Sequence, residues 1–267
     1  MFRDLVDRLQ PDARITVLTG AGVSAASGVP TFRGADGLWK NFRPETLATA
    51  EAFGRDPKLV WEWYAWRRFR IAACDPNAAH RVLADWSRRF KNFSLITQNV
   101  DGLHERAAAS AKASTFAKAT ADKTAGQGHE PDIIRLHGSI WEVSCWQGCA
   151  NSPTRWRDET LSFAEIPPRC PHCRGPIRPG VVWFGETLDP TVVRQASKAA
   201  ACDVFITVGT SAIVYPAAGF ITAAKHHGAY TVEINPETTP ATSAVDLSLR
   251  GGAEMVLPLI DQQLVGV

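Results

Sequence analysis

The cysteines of this chain are unevenly distributed. Four of the six fall close together and form two pairs, Cys145 with Cys149 and Cys170 with Cys173. Four thiolates complete the tetrahedral coordination that Zn²⁺ prefers and leave no position open for a reactant, so the spacing predicts a structural zinc site. Clustering of this kind in a chain without an export signal favours metal over disulfide bonds. The isolated Cys74 and Cys202 are interpreted as ordinary buried thiols.

A glycine-rich turn, GAGVS over residues 20–24, follows an apolar run and precedes a stretch of small residues. Glycines in such a turn let the backbone approach a pyrophosphate, and the following helix N-terminus supplies N–H groups. The same glycines could serve only a tight strand–helix turn. Ala25 stands where a dehydrogenase fingerprint has its third glycine, and no acidic ribose ligand follows at a suitable place. Ordinary dehydrogenase binding is therefore disfavoured.

Polar side chains follow two other apolar runs. Gln98, Asn99 and Asp101 come after NFSLIT, and His137 comes after IIRL. Open α/β sheets bind their ligands at the carboxyl ends of strands, and a histidine of near-neutral pKa can accept a proton there. Asn and Asp also cap helices and form turns, and a single His is more often structural. The residues alone leave both interpretations open.

The composition is that of an ordinary globular protein, with 45% hydrophobic and 21% charged residues and a net charge of +2. This charge gives no reason to expect specific nucleic acid or a membrane as partner. The acidic residues of the first turns argue against an export signal, and we expect a cytoplasmic protein.

Short β-branched runs alternate with helix-like stretches. Strands are predicted at residues 15–20, 92–99, 203–211, 230–235 and 253–259, and helices at 191–201 and 216–227. This alternation predicts an α/β fold, a Rossmann-like parallel sheet with helices on both faces.

Two segments interrupt the alternation and are predicted to form a smaller domain. Residues 40–90 have helical spacing and no strand candidate, and residues 141–180 hold the cysteines. The Rossmann-like domain then comprises residues 1–39, 91–140 and 181–267. Within it, the Ala- and Lys-rich segment 107–128 has almost no large apolar residues and is predicted to be a mobile surface insertion.

Several longer motifs occur in a fixed order: GAGVSAASGVPTFRGADGLW from residue 20, TQNVDGLH from 97, LHGS from 136 and GTS from 209. Together they closely resemble the sirtuin family over about residues 14–260, apart from the insertion. The resemblance implies NAD as cofactor, a structural zinc ion, and His137 as the catalytic base. It implies that the cofactor is bound by Gly20, Ala21, Gly22, Ser24, Phe32, Arg33, Gln98, Asn99, Asp101, Gly209, Thr210, Ser211, Asn235 and Ala253.

The resemblance also implies a substrate, an acylated lysine side chain of a protein. Val182 and Phe184 match the segment that walls the lysine tunnel. Tyr64 and Arg67 lie three residues apart and so share a helix face. The Tyr-x-x-Arg pair resembles sirtuins that remove succinyl, malonyl or glutaryl groups, because Arg can pair bidentately with a distal carboxylate. Without the resemblance, a solvated Arg beside a packed aromatic is the better interpretation.

The implied reaction transfers the acyl group to the ribose of NAD and yields nicotinamide, free lysine and O-acyl-ADP-ribose. His137 would deprotonate a ribose hydroxyl, and the Phe32-Arg33 loop would exclude water. The competing hypotheses are a plain deacetylase, an ADP-ribosyltransferase, and a non-enzymatic NAD sensor or scaffold. We expect a monomer.

Overall fold

The computed structural model describes residues 2–30, 44–119 and 133–265. The strands are β1 Arg14–Thr19, β2 Asn92–Thr97, β3 Ile133–Arg135, β4 Gly138–Cys145, β5 Trp156–Arg157, β6 Ile177–Val181, β7 Val204–Val208, β8 Tyr230–Asn235 and β9 Leu247–Arg250. The α-helices are α1 Arg3–Val6, α2 Pro44–Leu47, α3 Ala50–Arg55, α4 Pro57–Ala72, α5 Ala78–Arg89, α6 Leu103–Ala119, α7 Pro190–Ala199, α8 Ala217–His226 and α9 Ala253–Val265. A 3₁₀ helix spans Ala21–Ser27. None of the described helices combines the length and the apolar character needed to cross a bilayer.

The larger sheet is parallel, with strand order β3-β2-β1-β7-β8-β9. Successive residues of its central strands enter different cores, because side chains alternate between the faces of a sheet. Val17 lies in a cluster with α5 and α9, whereas Leu18 lies in a cluster with α7 and α8. Helices therefore cover both faces, which confirms the predicted Rossmann-like fold.

The smaller sheet is antiparallel, with strand order β5-β4-β6. Its core contains Trp61, Trp63 and Tyr64 of α4, and the Trp61 indole donates a hydrogen bond of 2.6 Å to the carbonyl of Ile177. Arg68 of α4 is fully buried against the smaller sheet. Its Nε donates to the carbonyl of Ile140 in β4 at 2.8 Å, and its guanidinium forms an ion pair of 2.9 Å with Asp158. These contacts fix α4 against the strand that begins directly after His137.

The C-terminal segment corrects one prediction. Residues 253–259, predicted to form a strand, belong to helix α9. Its buried residues Ala253, Val256, Leu257 and Ile260 have helical spacing, which becomes visible only when the pattern is followed beyond the predicted strand. The sixth strand of the sheet is instead the short β9, which sequence analysis missed.

Two further expectations differ from the structure. Residues 107–119 of the predicted mobile insertion continue helix α6, a regular element that was not predicted there, and residues 120–128 lie outside the described residues. Alanine is the best helix former, so an Ala-rich segment can be helical without a buried face. Helix α5, predicted within the helical insertion, packs with α9 in the core of the larger sheet through Leu83 and Trp86.

Glycines allow the loops after β1 and β7 to touch. The N–H of Gly22 donates to the carbonyl of Gly209 at 2.8 Å. A Cβ on Gly20 would lie 2.8 Å from the Gly209 oxygen, and a Cβ on Gly209, whose φ is +59°, would lie 2.5 Å from the nitrogen of Val23. Any larger residue would push the two loops apart.

We therefore expect Gly209→Ala to lower the free energy of unfolding by at least about 2 kcal/mol, because it combines a left-handed backbone with a clash against main-chain atoms. Urea unfolding followed by tryptophan fluorescence measures this. Gly54→Ala is the matched control, because its Cβ in α3 would meet nothing within 4 Å. Equal stability of the two variants would show that the loops have room to separate.

Candidate active site

The larger sheet reverses its strand order at β1, whose neighbours are β2 on one side and β7 on the other. This reversal is the switch point of the sheet. Chain segments leaving the carboxyl ends of these strands diverge, and this crevice is where open α/β sheets bind nucleotides. The glycine turn of residues 20–24, the segment from Gln98 to Asp101 and the GTS segment of residues 209–211 all lie at this edge. The fold thus brings three separate motifs together.

The buried hydroxyl of Ser24 connects two of these motifs. It donates to Asp101 Oδ2 at 2.8 Å and accepts a hydrogen bond from the amide Nδ2 of Asn99 at 3.1 Å. The other carboxylate oxygen of Asp101 accepts the N–H of Leu103 at 2.9 Å. Burial raises the pKa of Asp101, while these hydrogen bonds and the charge of Arg67 oppose that change. Ser24 therefore holds Asp101 and Asn99 in a fixed relation.

His80, a residue without a role in the sequence analysis, supports the same hydroxyl. Its Nδ1 accepts the N–H of Asn77 at 3.3 Å, which leaves the hydrogen on Nε2 to be donated to Ser24 Oγ, also at 3.3 Å. Burial lowers the pKa of His80 to about 4, so the ring is neutral near pH 7. The only local sequence signal is the capping box formed by Asn77 and His80 at the start of α5.

The third motif is joined to the first two through Thr210. Its hydroxyl accepts a hydrogen bond of 2.9 Å from Nε2 of Gln98, and its carbonyl accepts one of 2.7 Å from Nδ2 of Asn235. Thr210 is buried, whereas Gln98, Ser211 and Asn235 are half-buried and line the same edge. The Ala253 side chain lies in the core beside the sheet, and Phe32 and Arg33 lie outside the described residues.

His137 follows β3 and reaches the end of β2. Its Nδ1 lies 2.9 Å from the carbonyl oxygen of Gln98. Because a carbonyl can only accept, Nδ1 carries the hydrogen and Nε2 of the neutral ring has a free lone pair. Burial lowers the pKa of His137 below the ordinary value of 6.5, and the Gln98 carbonyl opposes this only in part. The ring is therefore an oriented proton acceptor at neutral pH.

The predicted acyl-pocket residues lie on α4 and on the segment after β6. Tyr64 is buried and accepts a hydrogen bond of 2.9 Å from the Trp183 indole, and burial raises its pKa to about 12, so it remains a phenol. The guanidinium of Arg67 lies 4.8 Å from the ring centroid of Trp63 and 5.7 Å from that of Tyr64. Burial lowers the pKa of Arg67, and Tyr64 and Asp101 raise it.

The neighbouring segment is fixed by main-chain bonds. The N–H of Val182 donates to the carbonyl of His137 at 3.0 Å, and the N–H of Phe184 donates to that of Ala48 at 2.9 Å. The Phe184 side chain is 45% exposed. Val182 and Phe184 thus connect the predicted base His137 with Ala48, which lies between helices α2 and α3. The side chain of Phe184 remains accessible from the solvent.

The four clustered cysteines converge as a possible metal site. Their sulfur atoms all lie within 4.8 Å of one another, with 3.6 Å between Cys145 and Cys173 and 3.8 Å between Cys149 and Cys170. Tetrahedral zinc with Zn–S bonds of about 2.3 Å requires sulfur atoms about 3.8 Å apart, so the donor set fits Zn²⁺. Cys74 and Cys202 are buried free thiols elsewhere, as predicted.

Fold and site together define a class: an α/β nucleotide-binding protein with a glycine turn at the switch point, an oriented histidine base and a tetrathiolate module. The sequence profile of the Sir2 family matches residues 20–216. The chain belongs to the Sir2 family, the sirtuins, as its motifs predicted.

Relatives and solved structures agree with this assignment. The chain is 48% identical over 237 residues to the NAD-dependent protein deacylase of Aquifex aeolicus (strain VF5), covering 88% of this chain and 89% of that protein. It is 42% identical over 266 residues to NAD-dependent protein deacylase 1 of Pseudomonas aeruginosa, covering 96% of each. A Sir2 homolog–NAD complex superposes with a TM-score of 0.83 at 39% identity, covering 100% of this chain and 94% of that one. A Sir2–p53 peptide–NAD⁺ complex gives 0.79 at 25% identity, covering 100% of each chain.

The tetrathiolate predicts how the metal behaves. We expect one zinc per chain in the purified protein, and Cys170→Ser, which changes a fully buried ligand, should abolish zinc binding and lower the melting temperature, because the metal crosslinks β4 to the loop before β6. Metal analysis and thermal unfolding measure this. Cys202→Ser is the control, since Cys202 lies in the core of the larger sheet. Full zinc content in the Cys170 variant would contradict the assignment.

Proposed function

We propose that this protein is an NAD-dependent protein-lysine deacylase. The observation that supports this most is the His137 ring at the switch point, held through Nδ1 by the Gln98 carbonyl with Nε2 as acceptor, beside the Ser24, Asn99 and Asp101 network. Relatives named NAD-dependent protein deacylases cover most of the chain. The site contains what acyl transfer to a nucleotide ribose requires: a base, a polar ribose pocket and a glycine turn for the pyrophosphate.

The residues present fit NAD. A Cβ on Gly20 or Gly22 would collide with the Gly209 main chain. Without side chains at these positions, the two loops lie close together and a pyrophosphate can approach their main chain. We assign Ala21, Ser24, Gly209, Thr210 and Ser211 to the phosphates and adjoining ribose. Asn235, and Ala253 through its main chain, belong to the adenosine side. Gln98, Asn99 and Asp101 belong to the nicotinamide ribose, with Phe32 and Arg33 assigned by resemblance.

NAD, when bound, supplies the ADP-ribose that receives the acyl group and the nicotinamide that leaves. The protein itself orients the ribose and accepts one proton. Asn99 and Asp101, held by Ser24, fix the ribose, and Nε2 of His137 takes the proton of a ribose hydroxyl. Val182 and Phe184 present main chain and side chain to the acylated lysine. One acylated lysine, one NAD and one water from the solvent would give free lysine, nicotinamide and O-acyl-ADP-ribose.

We propose further that acidic acyl groups such as succinyl, malonyl and glutaryl are preferred to acetyl. Arg67 and Tyr64 lie on one face of α4, and the aromatic rings of Trp63 and Tyr64 border the guanidinium. A distal carboxylate can accept two parallel N–H bonds from Arg67 and one O–H bond from Tyr64. A neutral acetyl group would provide none of these acceptors. Monomeric state and cytoplasmic location stay predictions.

The acyl preference is tested with matched peptides that carry succinyl-lysine or acetyl-lysine, by following peptide mass and nicotinamide release. We expect kcat/KM to favour succinyl by about 10–200-fold, the range that a differential interaction of about 1–3 kcal/mol allows. Arg67→Met should abolish the preference by lowering the rate with succinyl alone.

Arg70→Met is the matched control, because Arg70 is exposed on the same helix. A preference for acetyl in the wild type would make the protein a plain deacetylase and leave the deacylase proposal intact. His137→Ala should stop turnover with both peptides while zinc content and fold persist. Peptides unchanged by wild-type protein that is folded and zinc-loaded would refute catalysis and favour an NAD sensor.

The pKa of His137 predicts the acid limit of the reaction. The base is active when neutral, and burial lowers its pKa, so neutral ring predominates down to a pH below 6.5. We expect the acid limb of kcat/KM to be centred below pH 6.5. Tryptophan fluorescence across the same range controls for acid unfolding. An acid limb centred above 6.5 would show that another group sets the limit.

A further inference from the structure

His104, the second residue of α6, is a buried histidine next to the site that no step above uses. It is 3% exposed. Among the side chains that the structure describes, those of residues 2–30, 46–111 and 133–265, buried nitrogens without a hydrogen-bond partner occur in only two residues, and Nδ1 of His104 is one of them. An unpaired polar atom in the interior opposes folding, so an apolar side chain would be more stabilising here. The presence of a histidine at this buried position therefore has to be explained by the contact that Nε2 makes.

That nitrogen begins a chain of hydroxyl groups. Nε2 of His104 lies 3.0 Å from Oγ1 of Thr19, and the Thr19 hydroxyl donates to Oγ1 of Thr97 at 2.9 Å. Since the single hydroxyl hydrogen of Thr19 is used in that bond, Thr19 accepts and His104 Nε2–H donates. Thr97 Oγ1 also accepts the main-chain N–H of Asn99 at 3.1 Å. A direct path therefore leads from His104 to the backbone of Asn99.

The same ring also packs on the support of the Asn99 side chain. The rings of His104 and His80 lie 4.7 Å apart between centroids. His80 donates to Ser24, and Ser24 accepts the amide of Asn99. Burial lowers the pKa of both histidines, so both rings are neutral and can pack together. Backbone and side chain of Asn99 are thus held by two branches that meet at His104.

We propose that His104 is a positioning residue that sets the orientation of Asn99 through Thr19 and Thr97 on one branch and through His80 and Ser24 on the other. This inference rests on the proposed deacylase function and deepens it. His104 does not touch the reactants; it acts through Asn99, whose placement decides how the nicotinamide ribose is presented. Displacing such a group by about 1 Å can cost up to a hundredfold in rate.

The test compares variants in the zinc-loaded full chain with NAD and an acylated peptide. His104→Phe keeps a packed ring but removes the donor, and Thr19→Val cuts the hydroxyl path with little change of volume. Both should lower kcat about tenfold or more while KM for the peptide stays within about twofold, because the peptide does not contact this network. His104→Gln, whose amide can donate towards Thr19, should recover most of the rate.

Controls separate positioning from stability. Thr231→Val removes a hydroxyl that is equally buried on β8 and bonded to Asp246, so it should destabilise the fold without changing kcat. The double variant of His104→Phe and Thr19→Val should be no slower than the worse single variant, because both interrupt one path. If His104→Phe does not fold, Thr19→Val and His104→Gln decide the matter.

Unchanged kcat in Thr19→Val, or equal losses for His104→Phe and the Thr231 control, would overturn the proposal. So would a His104→Gln variant no faster than the Phe variant. Absence of deacylation by the wild type would be a different failure, that of the proposed function. Wild-type activity together with variants that fold and turn over normally would refute only the role of His104.

Discussion

The close approach of two main-chain loops is the constraint on which the site depends. The turns after β1 and β7 meet through Gly20, Gly22 and Gly209, with main-chain atoms where side chains would otherwise stand. This contact fixes the main chain of the glycine turn beside that of the GTS segment, and Ser24 lies in the same turn. On one side of the contact, Gln98 and Asn235 bond to Thr210, which follows Gly209. On the other side, Asn99 bonds to Ser24, which follows Gly22.

A second physical principle is the burial of charged and polar groups with partners. Asp101 lies in the interior with Ser24 and the N–H of Leu103 bonded to its carboxylate. Arg68 lies in the interior with Ile140, Thr160 and Asp158 accepting from its Nε and Nη1, and only its Nη2 has no hydrogen-bond partner in the described part of the chain. Such groups tolerate little movement, since each lost partner leaves a desolvated charge. The site is rigid where bonds must be oriented, while Phe184 stays open.

Local patterns predicted what local physics determines. The glycine turn, the cysteine pairs and the strands β1, β2, β7 and β8 were all visible in short windows. The role predicted for His137 came instead from the family resemblance of several motifs taken together. Helix α9 was misassigned because its apolar run is too short to distinguish period two from period 3.6. The hydrogen bonds His80–Ser24 and Tyr64–Trp183 join residues that are 56 or more positions apart, so no short window of sequence reveals them.

The antiparallel pairing of β4 with β6 has a consequence for how His137 is supported. β4 starts at Gly138, immediately after His137, and β6 ends at Val181, immediately before the residue whose N–H binds the His137 carbonyl. Both strands lead at their other ends into the tetrathiolate. Loosening the tetrathiolate would therefore loosen the strand pair whose far end supports the main chain of His137.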